Sequence, residues 1–166
     1  MTGLGRRARA VALGMVLAAG CGGGGEGRVA FTQVEVQAYL EREVSRTLPG
    51  LAVGAASCSA ELPEQVGGTV GCVVTVERVA LQYDVQRLVG GRFEARPQRP
   101  IVVVRDLATA VRSKLGDPAA SVRCGDAVVV QPAPGEALAC QITGGGPARA
   151  ATVRVGPDGA LTVTDT

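Results

Sequence analysis

Apolar residues recur along this chain with two periods, and the change from one to the other marks its elements. Over residues 32–48, TQVEVQAYLEREVSRTL places Val36, Leu40, Val44 and Leu48 four apart, one stripe of an amphipathic helix. Thr32 and Glu35 stand at capping-box spacing, and Pro49-Gly50 stops the helix. Past residue 69 the period falls to two. Val70, Cys72, Val74 and Val76 share one face of a strand, and Leu81, Tyr83 and Val85 alternate with Gln82, Asp84 and Gln86 in the next. Gly90-Gly91 then turns the chain into a third strand, RFEAR.

The same order returns further along. Val103, Leu107, Val111 and Leu115 repeat the helical stripe at an offset of 67 residues. Pro100 opens this helix at its first turn and Gly116-Asp117-Pro118 closes it, although the β-branched run Ile101–Val104 also suits a strand. Leu138, Cys140 and Ile142 share a strand face. The GGGPAR turn leads into ATVRV, and GPDG leads into ALTVT. Cys58 and Cys124 lie 66 residues apart, and Cys72 and Cys140 lie 68 apart. A near-constant offset is the mark of internal duplication. The pattern predicts an α+β fold of two tandem repeats, each one helix followed by a three-stranded antiparallel β-meander. The repeats span 31–96 and 101–166, with a Pro-bounded linker at 97–100 between them.

The N-terminus follows neither period. GRRARA supplies positive charge, and VALGMVLAAG is an apolar run of about ten residues, well short of the roughly 20 that a spanning helix needs. Residues 1–20 therefore read as an export signal. Leu17-Ala18-Ala19-Gly20-Cys21 resembles the bacterial lipobox, in which the signal is cut before Cys and the thiol takes a diacylglycerol; Ala18 stands where Leu is usual. Arg6 and Arg7 are adjacent but lack the fuller twin-arginine pattern, so ordinary secretion is the route expected. Each buried acyl methylene contributes about 0.8 kcal/mol, and lipoprotein processing supplies at least two chains. Residues 21–30, rich in glycine, then form the tether to the folded part.

Removing residues 1–20 changes the charge balance. The whole chain carries a net +2, but Arg6, Arg7 and Arg9 go with the signal, leaving fourteen basic against fifteen acidic side chains. No basic patch interleaved with aromatics remains, which argues against a nucleic-acid partner. The four aromatics, Phe31, Tyr39, Tyr83 and Phe93, leave the core to Val, Leu and Ala, and a core of this kind gains from covalent staples. Cys21 apart, four cysteines permit three connectivities. Pairing Cys58 with Cys72 and Cys124 with Cys140 is expected because the repeat builds that pair twice and an exported protein meets oxidant.

Other chemistry finds few residues to use. The chain has no His, which excludes Ser-His-Asp and Cys-His arrangements, and the cysteines lack the close spacing of zinc ligands or of a C-x-x-C redox pair. No metal site, cofactor or catalytic residue is expected. Ser113 and Lys114 are sequence neighbours that point apart on a helix. Glu41 and Glu43 read as part of a solvated charged face, Asp126 as a loop carboxylate, and Asp158 as a turn residue. The glycine-rich pieces lack the strand, helix and Lys of a phosphate loop.

Residues Cys58, Glu61, Leu62, Pro63, Val66, Gly67 and Cys72 follow the order Cys, acidic-Leu-Pro, Val-Gly, Cys. In this the chain resembles the actinobacterial lipoprotein family carrying the domain of unknown function 4333, over 31–96 and more loosely over 101–166, where the Leu-Pro step becomes VVVQPAPGEA. The resemblance implies a lipid-anchored exported module and carries no activity. The expectation is a protein on the extracytoplasmic face of the cell membrane, anchored through Cys21, that binds an envelope protein or polymer without catalysis. One alternative is a protein inhibitor, similar in outline to the secreted β-lactamase inhibitory proteins. The other is an envelope-polymer hydrolase, which needs two carboxylates facing one cleft.

Overall fold

The computed structural model describes residues 31–144 and 147–165. The signal segment, the 21–30 tether with Cys21, and Gly145-Gly146 of the GGGPAR turn lie outside the described residues. Helix α1 (Gln33–Thr47) begins at a complete capping box. Thr32 Oγ1 accepts from Glu35 N at 3.3 Å, and Glu35 Oε2 accepts from Thr32 N at 2.8 Å. Both bonds satisfy donors that the first helical turn would otherwise leave free. Val36, Leu40 and Val44 form its buried stripe, while Leu48 is the C-cap and packs from just beyond the last turn.

Four antiparallel strands follow: β1 (Val53–Cys58), β2 (Thr69–Val76), β3 (Val79–Arg87) and β4 (Phe93–Pro97), in the spatial order β1-β2-β3-β4. The meander therefore has one strand more than the period predicts. The added strand, β1, is built from VGAASC, whose small residues give little alternation and whose register slips between Val53 and Ala56. Helix α1 covers one face of this sheet. Val70, Cys72, Val74 and Val76 of β2 and Leu81, Tyr83 and Val85 of β3 are buried beneath it, as their alternation requires. Glu77 and Arg78, both at positive φ, make the two-residue turn between β2 and β3.

The second half starts in extended conformation. Val102–Val103 (β5) pairs with Val129–Val130 (β7), so helix α2 (Val104–Leu115) begins later than Pro100 predicts and Val103 is its N-cap. The β-branched run takes the strand option because β7 offers it ladder partners. Leu107, Ala108 and Val111 form the buried face of α2, and Gly116 ends it at φ +67°. Asp106 in the first turn and Arg112 and Lys114 in the last complement the helix dipole. Strands β6 (Ser121–Arg123), β8 (Ala137–Thr143), β9 (Arg149–Val155) and β10 (Leu161–Asp165) make a second antiparallel sheet in the order β6-β8-β9-β10. Here too four strands stand where three were expected, β6 being only three residues long.

Each half has its own apolar cluster, and two residues of the second half cross to the first. Val129, on the β5–β7 ribbon, is fully buried in the cluster of the first sheet. Ile101 packs against that cluster as well. Two residues after Val129, the Gln131 side chain completes the edge of β3 beyond the end of β4. Its Oε1 accepts from Gln82 N at 2.7 Å, and its Nε2 donates to Gln82 O at 2.9 Å and Arg99 O at 3.2 Å.

Candidate functional site

Both expected disulfides are present. Cys58–Cys72 joins residues directly opposite each other on β1 and β2, and Cys124–Cys140 joins the residue following β6 to β8. Each one ties the C-terminal end of the sheet's first strand to its neighbour. All four cysteines are buried, so the bridges face the helices and leave the outer sheet faces free. The loop between Cys58 and Cys72 is closed by its own sequence. Leu62 enters the core, and Gly67 at φ +86° donates its N–H to Arg87 O at 2.8 Å. A Cβ on Gly68 would stand 2.7 Å from Pro63 Cβ, so the Leu-Pro turn and the Gly-Gly step require one another.

Three of the four aromatics gather where the described chain begins. The Phe31 and Phe93 rings meet edge-on at 4.5 Å, and Tyr39 lies 5.2 Å from Phe93, a geometry that favours aromatic pairs. Tyr39 also donates to Phe93 O at 3.0 Å. The Arg87 guanidinium, largely buried, stands 4.9 Å over the Phe31 ring in cation–π arrangement. Gly91 gives the ring its seat: a Cβ there would fall 3.2 Å from Phe31 Cζ. The sequence supplied no signal for this cluster, since its members come from a helix entry, a helix face and a hairpin.

The residues weighed for chemistry are dispersed and mostly engaged. Glu41 is not part of a solvated face: its Oε1 accepts from Ala56 N at 2.8 Å, meeting the donor that the β1 irregularity frees. Glu43 pairs with Arg46 at 2.6 Å, and Asp126 pairs with Arg123. Asp158 Oδ1 accepts from Ala160 N at 3.0 Å in its turn. Asp158 also borders a cleft of about 380 Å³ between residues 97–101 and 157–159, where it is the one carboxylate among the lining residues, with Arg99 opposite. Ser113 and Lys114, both exposed, line a shallow groove of about 600 Å³ with Ala110 of α2 and Leu161, Thr162 and Val163 of β10.

Burial raises the pKa of two phenols and so keeps them protonated. Tyr83, beneath α1 and near Glu43, is pushed up to about 12, and Tyr39 is raised by burial and by the same carboxylate. Among the described residues no group of three or more His, Cys, Asp or Glu side chains is placed to hold a metal, and no helix is long and apolar enough to cross a membrane. Comparison with known protein families, with curated proteins and with solved structures finds no match.

Proposed function

We propose that this chain is an exported lipoprotein, held on the extracytoplasmic face of the cell membrane by acyl chains on Cys21. Its folded part binds an envelope protein or polymer without catalysis. The observation that carries this reading is the division of the cysteines. Four of the five are consumed in two disulfides, which befits an oxidising compartment. The fifth, Cys21, follows a charged and then apolar segment in lipobox-like context.

The folded part is, on this reading, one unit used twice, at 31–96 and 101–166. The reading is supported by a helix followed by a four-stranded antiparallel sheet in each half, with the disulfide at the same strand junction. The order Cys58, Glu61-Leu62-Pro63, Val66-Gly67, Cys72 supports kinship with the lipoprotein family carrying the domain of unknown function 4333.

Intact mass of protein extracted from membranes tests the anchor. A chain starting at Cys21 with a diacylglyceryl adduct is expected, and a soluble chain retaining Met1 overturns it. Crosslinking in living cells tests the binding role. A specific adduct with an envelope protein or polymer is expected, and membrane background alone counts against a stable partner.

A further inference from the structure

The strand directions sort the loops of the first half into two ends. The 59–68 loop, the 88–92 hairpin and the start of α1 lie at one end. They are held together by Gly67 N to Arg87 O, Gln33 Nε2 to Cys58 O at 2.9 Å, and the Phe31–Gly91 contact. The β2–β3 turn lies at the other end, and the chain leaves β4 in that direction, past Gln82, to the second half. The tether end also concentrates exposed apolar side chains. Val34 on α1 is 71% exposed, Val89 on the hairpin 71%, and Val66 on the loop 61%. Folding leaves these three valines in water, and at least two of them sit on turns where a polar residue costs nothing.

We infer that this end is the bilayer-facing surface, with Val34, Val66 and Val89 seated at the headgroup boundary and the second half held away from the membrane. The inference rests on the anchor reading above. From Cys21 to Phe31 the chain spans ten residues, which at 3.3–3.6 Å each allows at most about 35 Å. Phe31 is fixed to this end, so this end is the part of the fold joined most directly to the anchor. A link this short keeps the valines at high local concentration over the lipid, so that a modest apolar contact suffices. The charges here are mixed: Glu61 and Glu64 are exposed on the loop, Arg92 on the hairpin, and Glu35 is held in the capping box. Adhesion is therefore apolar rather than electrostatic, and a zwitterionic bilayer is the partner it fits.

The chain contains no Trp, so a single introduced indole reports its own depth. The full lipidated chain, as Val89→Trp or as Val128→Trp, is placed in phosphatidylcholine vesicles with brominated acyl chains. Val128 is also exposed, at 45%, and lies in the second half; it carries the same added indole as a control. Quenching of the Val89→Trp variant without quenching of the Val128→Trp variant is expected. In the unsubstituted chain, amides of the 88–92 hairpin should exchange more slowly on vesicles than in the Cys21→Ser form free in solution. A vesicle-bound chain whose two variants quench equally, or not at all, overturns the orientation while the anchor stands. A chain without the diacylglyceryl mass that stays off vesicles overturns both.

Discussion

Val129 belongs by sequence to the second half and by packing to the first, and Val129→Ala measures what that exchange is worth. The side chain is fully buried against the cluster that includes Leu81, Val85 and Leu40. Truncation removes two methyl groups, about 1.6 kcal/mol at ~0.8 kcal/mol per buried group. The cavity left behind adds to this, because a β5–β7 ribbon of two registered pairs cannot collapse far, so a total of about 2–3 kcal/mol is expected. The neighbouring Val128 is the internal control, since its exposed side chain predicts a change within about 0.5 kcal/mol. Urea unfolding followed by circular dichroism reads both as shifts of midpoint at constant slope. Hydrogen exchange locates the loss, which should appear at β3 amides although the substitution lies some 45 residues away in sequence. The reasoning is refuted if Val129→Ala costs no more than Val128→Ala, or if exchange quickens only beyond residue 101.

Other features give separate outcomes. Replacing Cys58 and Cys72 together by Ala should lower stability by about 3 kcal/mol, the chain-entropy value for a loop of this length, read by chemical denaturation of oxidised wild type against the variant. Gln131→Ala removes two hydrogen bonds to Gln82 of the first half and one to Arg99 of the linker. Gln82 O keeps its bond from Gln98 N, so a loss of about 1–2 kcal/mol is expected by the same assay. Arg78→Gly should stabilise by about 0.5–1 kcal/mol, because Arg78 holds φ +69° in a two-residue hairpin where glycine meets no steric cost; a lower thermal midpoint would contradict this. Tyr83 keeps its proton in the folded state up to about pH 12, whereas an unfolded tyrosine loses it near 10. Folding stability should therefore be unaffected by Tyr83 below pH 10 and fall as pH rises from 10 toward 12. Alkaline unfolding of Tyr83→Phe against wild type checks the sign: the variant should lose less.

Where one buried face repeats at a fixed period, the chain was readable. The stripe Val36, Leu40, Val44 and the alternation of Val70 through Val85 each follow from a single partner surface, and they appear in the structure as the sequence predicts. The cysteine pairing was readable for a related reason, the same spacing occurring twice. Strand β1 escaped because Ala and Gly mark no face and an irregular register breaks what alternation there is. In Val128-Val129-Val130 nothing local says which valine is inside; that depends on a sheet some 45 residues upstream. Glu41 and Gln131 act through side-chain bonds to distant main chain, a kind of contact with no period. The aromatic cluster at Phe31 fails for the same reason, since only the folded chain brings a helix entry and a hairpin together.

The two-ended layout of the first half has a mechanical side. A pull applied between Phe31 and the segment after Pro97 runs along the strand axis, because the chain enters at one end of the sheet and leaves toward the other. Such a load meets the five registered pairs of β3 and β4 side by side, in shear, and cannot peel them one at a time. The Cys58–Cys72 bridge crosses the β1–β2 pair and bars those strands from sliding past each other. Tension applied between the N-terminal side of the first half and the second half would thus be carried by the sheet in its stiffest direction.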